Sequence, residues 1–225
     1  MSSVVADDTT IAAVSPALPP GTLADIVVTN SDGSAGTLPL GFLADFADVP
    51  DSHPFHDAVV RLAAGGVASG CGGGAYCVDA PVTRAQAAVL LLKARGGVCD
   101  PPPAATGAVF ADVAAGSFAA DWIEALAGEG ITGGCGGGNY CPQSPVRRDQ
   151  AAALLLKALR GSGYTPPPCA GLFADVPCPS PLADWIEALV AEQIAAGCGG
   201  GNYCPLAPVT RGQMAVLIAK TFGLS

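Results

Sequence analysis

The motif Gly-Cys-Gly-Gly-Gly-x-Tyr-Cys occurs three times, at residues 70–77, 134–141 and 197–204, with its first cysteines 64 and 63 residues apart. A motif returning at a fixed interval is an internal repeat, and a repeat constrains the architecture before any single element is assigned. The flanking sequence falls into the same register. Each copy is preceded by Phe-Ala-Asp-Val (46–49, 110–113, 173–176) and a helix-like run. Each is followed by a second such run, opened by Thr83-Arg84-Ala85-Gln86, Arg147-Arg148-Asp149-Gln150 or Thr210-Arg211-Gly212-Gln213. The chain reads as three copies of one unit behind a different N-terminal piece: a β segment 1–45, repeats 46–97, 110–161 and 173–225, and Pro-rich linkers 98–109 and 162–172.

The first run of each repeat carries an apolar stripe at helical spacing: Phe55, Val59 and Leu62; Phe118, Trp122, Ile123 and Leu126; Leu182, Trp185, Ile186 and Leu189. Trp122 and Trp185 suit either a core or a surface on which a sugar ring stacks. Asp121/Glu124 and Asp184/Glu187 stand one turn apart on the polar face, where carboxylates are usually just solvated. The second run begins with Thr-x-x-Gln, a capping box in which the hydroxyl takes the third helical N–H and the glutamine reaches back. Arg147 replaces the cap threonine in the middle copy, which predicts a weaker cap. Gly96-Gly97 ends the first of these helices. The chain's three lysines, Lys93, Lys157 and Lys220, share one position near the helix end, where a cation complements the dipole. Pro101-Pro102-Pro103 and Pro166-Pro167-Pro168 read as stiff spacers, so the repeats are expected to be units joined by short rods.

Nine cysteines among 225 residues point to an oxidising compartment. Three identical spacings at equivalent positions predict that each pair closes its own loop: Cys71 with Cys77, Cys135 with Cys141, Cys198 with Cys204. Such a closure is worth roughly 2 to 2.5 kcal/mol on the loop-entropy model, which matters to a unit of about 50 residues with little core of its own. Cys169 and Cys178 flank the third Phe-Ala-Asp-Val and are expected to pair. Cys99 is then left over, as a free or intermolecular thiol. Structural zinc wants four closely spaced ligands; each loop offers two, and the only histidines, His53 and His56, lie in the first repeat. No metal and no cofactor are therefore expected. A phosphate cradle fails too, since no Lys-Ser/Thr follows the glycines.

Net charge is −9 with no basic cluster beyond Arg147-Arg148, so the positive footprint of a nucleic-acid binder is missing. The longest apolar runs, such as 85–92, fall short of the ~20 residues of a membrane span. The first residues lack a basic segment followed by an apolar core, which reads as a fragment or mature form of a secreted protein. Neither a Ser-His-Asp nor a Cys-His set recurs in the repeats, and the expectation is not an enzyme.

Residues 1–45 read as β-structure: one strand near 4–14, a second at 22–30, and a third from 36 that pairs back across the turn Asn30-Ser31-Asp32-Gly33-Ser34. The texture of Val5-Ala6-Asp7-Asp8-Thr9-Thr10-Ile11, Leu18-Pro19-Pro20-Gly21-Thr22 and Val28-Thr29-Asn30-Ser31-Asp32-Gly33 resembles the second half of an IPT/TIG domain, an immunoglobulin-like module. That likeness implies an open sheet edge through which copies of the chain can pair.

Phe-x-Asp-Val, an amphipathic helix, the turns Gly66-Val67-Ala68-Ser69-Gly70 and Gly130-Ile131-Thr132-Gly133-Gly134, and Val-Thr-Arg-x-Gln together resemble S-layer homology (SLH) domains over about residues 46–223. The resemblance implies a mainly α fold, three two-helix repeats in a pseudo-threefold bundle behind a small β segment. It implies an extracellular place on a bacterial surface and noncovalent binding of a wall or envelope polysaccharide in grooves between repeats. The arginine that grips an acidic sugar substituent in the family falls at Arg84, Arg148 and Arg211. A guanidinium fork suits a carboxylate, and equally suits carbonyls of a neighbouring repeat. Asp48, Asp112 and Asp175 read as N-caps. Two departures stand out: glutamine replaces the family's glutamate at Gln86, Gln150 and Gln213, and the glycine turn carries cysteines. A second role, as subunit of a filament or lattice assembling through residues 1–45, is the alternative.

Overall fold

The computed structural model describes residues 2–7, 10–14, 17–30, 32–97 and 100–224; Cys99 lies outside them. Each repeat supplies a short helix and a longer one: α1 His56–Ala64 and α2 Arg84–Gly96, α3 Ala120–Gly128 and α4 Arg148–Arg160, α5 Ala183–Ala191 and α6 Arg211–Phe222. Nine-residue helices are too short to stand alone and exist here by packing. Val59 and Leu62, Ile123 and Leu126, Ile186 and Leu189 are fully buried at matching positions. The stripe holds with one correction. Phe118 is 64% exposed, because it aligns with Pro54 and Pro181 rather than with the inward-facing Phe55 and Leu182.

The three units do not hang on rods. Their buried side chains form one continuous core, and the second helix of each repeat packs on the first helix of the next: α2 on α3, α4 on α5, α6 on α1. At the centre, backbone bonds run in a circle, Val82 N–H to Val209 O, Val209 N–H to Val146 O and Val146 N–H to Val82 O, each 2.9 Å. All three valines are fully buried. The orphan N–H groups at each helix start then find acceptors in the neighbour: Arg84 in Ser144, Arg148 in Ala207, Arg211 in Ala80. Sequence-remote repeats 1 and 3 thus meet as repeats 1 and 2 do.

The linkers are strapped down by the paired carboxylates. Asp121 accepts from Ala105 N–H at 2.7 Å and Glu124 from Thr106 and Gly107 N–H at 2.8 and 2.7 Å. Asp184 and Glu187 do the same for Cys169, Ala170, Gly171 and Leu172. These side chains are not merely solvated; they satisfy extended backbone that has no strand partner.

Capping boxes open α2 and α6, with Thr83 and Thr210 each exchanging bonds with a glutamine. In α4 an arginine has no acceptor to offer, and Asp149 takes its place. Its Oδ1 receives Gln150 N–H at 2.7 Å while Oδ2 pairs with Arg147 at 2.8 Å. The cap expected to be weak is filled by a carboxylate two residues further on.

In front lie two separate antiparallel hairpins, β1 Ser2–Asp7 with β2 Thr10–Val14, and β3 Leu23–Thr29 with β4 Ala35–Leu43. The single strand expected near 4–14 is instead two paired strands, Ser2–Asp7 and Thr10–Val14. The pairing back across residues 30–34 is as expected, closed by Asn30 N–H to Ser34 O at 2.8 Å. Gly21 ties this segment to repeat 1. A Cβ there would stand 2.7 Å from the Phe46 ring, and its φ is +72.

Candidate functional site

The glycine motif builds a disulfide-closed loop in every repeat, Cys71–Cys77, Cys135–Cys141 and Cys198–Cys204, and a fourth bond joins Cys169 to Cys178. Inside each loop the first cysteine's N–H reaches a carbonyl four residues on, Ala75, Asn139 or Asn202. The turn needs three successive glycines at positive φ, as at Gly136, Gly137 and Gly138. The glycine ahead of the first cysteine answers to space instead: a Cβ on Gly134 would lie 2.3 Å from Asn139 O and 2.9 Å from the Phe110 ring.

The Phe-x-Asp aspartates cap these loops and not a helix. Asp48 accepts from Tyr76 and Val78 N–H at 2.7 and 3.0 Å, Asp112 from Tyr140 and Cys141 and Asp175 from Tyr203 and Cys204, all at 2.7 Å. The helix starts too far along the chain for the carboxylate to reach, whereas the loop folds back onto it. For Asp48 and Asp112 desolvation works against ionisation and the donated N–H bonds outweigh it; for Asp175 the Tyr203 N–H dominates. All three carboxyls sit below their ordinary value. A carboxyl whose folded pKa is depressed stabilises above its unfolded pKa, near 3.8, and loses that contribution as pH falls through the folded one. Acid unfolding followed by circular dichroism is therefore expected to set in below about pH 4, and Asp112→Asn to lower the neutral-pH melting temperature while flattening this acid limb.

The tyrosine of each motif is the hinge of the seam. It packs on the phenylalanine of its own repeat, Phe46–Tyr76, Phe110–Tyr140 and Phe173–Tyr203, with ring centroids 5.3 Å apart in every case. The same ring receives the arginine of the preceding repeat. Arg84 lies 4.7 Å from the Tyr140 centroid, Arg148 4.5 Å from Tyr203, and Arg211 4.5 Å from Tyr76. Each guanidinium also donates to the loop it stacks on. Arg84 Nε bonds Tyr140 O at 2.7 Å, Arg148 Nε bonds Tyr203 O at 2.9 Å, and Arg211 Nε bonds Tyr76 O at 2.8 Å. The terminal nitrogens of Arg148 and Arg211 reach Ala196 O and Ser69 O, both at 2.7 Å. Burial pushes the Tyr140 and Tyr203 hydroxyls up to about 12 and raises that of Tyr76, with the guanidinium pulling the other way. Arg84 is buried, at 5% exposure, while Arg148 and Arg211 are half-buried. All three arginines thus bridge repeats, 1 to 2, 2 to 3 and 3 to 1. The tyrosines were not singled out from sequence, although their recurrence in every motif was the signal.

The seams themselves are unequal. Arg95 pairs with Glu129 across the first, and Arg160 with Glu192 across the second at 3.2 Å. The position of Glu129 and Glu192 is Gly65 in repeat 1, and there a groove of about 540 Å³ opens between α1, the end of α2 and the residues Gly223 and Leu224 that follow α6, its charged lining being Arg61 and Lys93. Beside α2 and α3 lies a groove of about 240 Å³ lined by Trp122, Arg95, Glu129 and Pro101-Pro102-Pro103. Trp122 is half-buried there. Trp185, its counterpart, is packed by Tyr164 at 5.9 Å and by the Lys157 ammonium at 5.6 Å. The other lysines bond carbonyls, Lys93 to Gly66 and Lys220 to Gln193. Among the described residues no helix is long and apolar enough to cross a membrane.

A mainly α bundle of three like repeats, closed into a pseudo-threefold ring behind a small β segment, defines the class of protein. The chain belongs to the S-layer homology domain family, which it matches over residues 45–88, 109–152 and 180–215. It is similar to "Cell surface protein" of Thermoanaerobacter kivui, 35% identical over 53% of this chain and 16% of that protein. It is also similar to "Middle cell wall protein" of Brevibacillus brevis, 32% identical over 57% of this chain and 12% of the other. A third relative, "Surface-layer 125 kDa protein" of Lysinibacillus sphaericus, is 30% identical over 73% of this chain and 14% of its own length. The chain spans about a sixth or less of these relatives.

Proposed function

We propose that this chain is a cell-surface anchoring module, working on the outside of a bacterium and holding noncovalently to an acidic wall or envelope polysaccharide in the grooves between its repeats. The observation that carries this reading is the groove where α1 and the end of α2 meet Gly223 and Leu224 of the third repeat. In a chain of net charge −9 its charged lining is purely cationic, Arg61 and Lys93, which suits a carboxylate-bearing sugar. The Trp122 groove adds an aromatic face for a sugar ring. The half-exposed Arg148 and Arg211 keep a terminal amino group for ligand while their other nitrogens close the ring; Arg84 serves the ring alone. Anchoring, not catalysis, is the role.

The test is binding of the oxidised chain to polysaccharide released from walls. Arg61 is exposed, so Arg61→Ala leaves the fold intact, and loss of one charge-assisted contact is expected to weaken binding roughly ten- to a hundred-fold. Trp122→Ala is expected to weaken it as well. Unchanged affinity in both variants sinks the groove assignment.

One observation favours the alternative of assembly. Ile26, Val27, Val28 and Leu38 on the β3–β4 hairpin are 41–59% exposed, and a two-stranded sheet is marginal alone. The likeness of residues 1–45 to part of an IPT/TIG domain gives such a sheet its natural completion, strands from a second copy. Light scattering that disappears on deletion of 1–45 supports it; a monomer at all concentrations rules it out.

A further inference from the structure

We propose that Asp45, Asp51 and His56 form a binding site for a divalent transition-metal ion of the zinc type, which clips the N-terminal strands to the first repeat. His56 Nε2 lies 3.1 Å from Asp45 Oδ1 and 3.6 Å from Asp51 Oδ1, and the three donor atoms all fall within 4.8 Å of one another. Zinc bonds to imidazole nitrogen and carboxylate oxygen run at about 2.0–2.2 Å, which sets tetrahedral donors about 3.3–3.6 Å apart. The two histidine–aspartate separations span that spacing. Three protein donors leave the fourth position to water.

The other ring nitrogen is an independent indication. His56 Nδ1 stands 3.3 Å from Asp57 Oδ1, the arrangement in which a carboxylate orients a metal-bound imidazole and fixes its tautomer. With Nδ1 donating to Asp57, Nε2 faces the carboxylates of Asp45 and Asp51. A positive charge at that place, the proton of an imidazolium or a metal ion, satisfies all of them, so the ion binds in competition with the proton. One imidazole among carboxylates favours zinc over the all-oxygen cations calcium and magnesium.

The repeats supply an internal control. At these three positions repeat 2 has Val109, Ala115 and Ala120, and repeat 3 has Leu172, Cys178 and Ala183. The scaffold folds in both without any of the donors, so the set in repeat 1 is not there to form α1. In repeat 3 the residue at the Asp51 position, Cys178, is bonded to Cys169 and ties the incoming chain to the loop ahead of α5. The ion makes the corresponding tie in repeat 1, since Asp45 follows β4, Asp51 lies in the loop and His56 opens α1.

The experiment is calorimetric titration of Zn²⁺ into the metal-stripped full chain, with Co²⁺ absorption reporting coordination. One ion per chain is expected. Asp57→Asn should weaken binding roughly 10- to 100-fold. His56→Ala should abolish it without disturbing the helical circular dichroism spectrum, because alanine already stands there in the other repeats. His53→Ala should leave it unchanged. No stoichiometric Zn²⁺ binding, binding that survives His56→Ala, or Ca²⁺ binding as tight as Zn²⁺ overturns the proposal.

Discussion

Full reduction of the chain is expected to lower its melting temperature by roughly 20 °C or more, the largest single effect in this molecule. Each seven-residue ring is worth roughly 2 to 2.5 kcal/mol in lost unfolded-state entropy, and the Cys169–Cys178 closure about as much. Together they rival the whole stability of an ordinary domain, about 5 to 15 kcal/mol. The loops also present the tyrosine to its arginine, so loosening them loosens the seams. Thermal unfolding followed by circular dichroism, with and without thiol, measures this. The double variant Cys135→Ala/Cys141→Ala should cost about a quarter of the total. A reduced chain that melts within a few degrees of the oxidised one would show that the loops are held by Asp48, Asp112 and Asp175 alone.

Arg211→Ala is expected to destabilise the chain by roughly 3 to 5 kcal/mol. Two hydrogen bonds from a charged donor contribute about 1.5 to 3 kcal/mol each and the stack on Tyr76 about 0.5 to 2, and the partial exposure of the side chain holds the total to the lower part of that range. The seam it closes is the vulnerable one. No linker crosses from repeat 3 to repeat 1, and Gly65 stands where the other seams place a paired glutamate. Amide exchange should rise first in α1 and α6. Arg211→Lys should recover little, because an ammonium cannot lie flat on a ring and bond two carbonyls from its edge. A loss below about 1 kcal/mol would mean the arginine is a solvated surface residue with no part in closure.

Much of this was legible in the sequence, and the boundary is physical. The repeat, the longer helices with their capping boxes, and the three loop disulfides depend on partners at most a few residues away, so spacing alone reveals them. The mainly α bundle follows from the same register. What escaped depends on contacts between segments far apart in the chain. Asp112 looks like a cap for the helix it precedes, and only the folded loop shows that Tyr140, 28 residues on, is its partner. Glu124 and Glu187 look like solvated charges until the linker is seen to lie on them. Arg211 meets Tyr76 135 residues away, and a ring closure of that span leaves no local trace. Phe118 misled because a one-residue shift in the stripe exchanges inside for outside. Asp45, Asp51 and His56 are the local exception: they lie within twelve residues, but at spacings that match no metal motif, so the histidines alone gave no sign of them.

The most direct test of the account is co-sedimentation of the oxidised chain with isolated bacterial cell walls, before and after their polysaccharide is stripped. Anchoring through the seams predicts that the chain pellets with intact walls, stays in solution with stripped ones, and is released from the pellet by Arg61→Ala. Pelleting that is indifferent to the polysaccharide, or that occurs with no wall present, would contradict it.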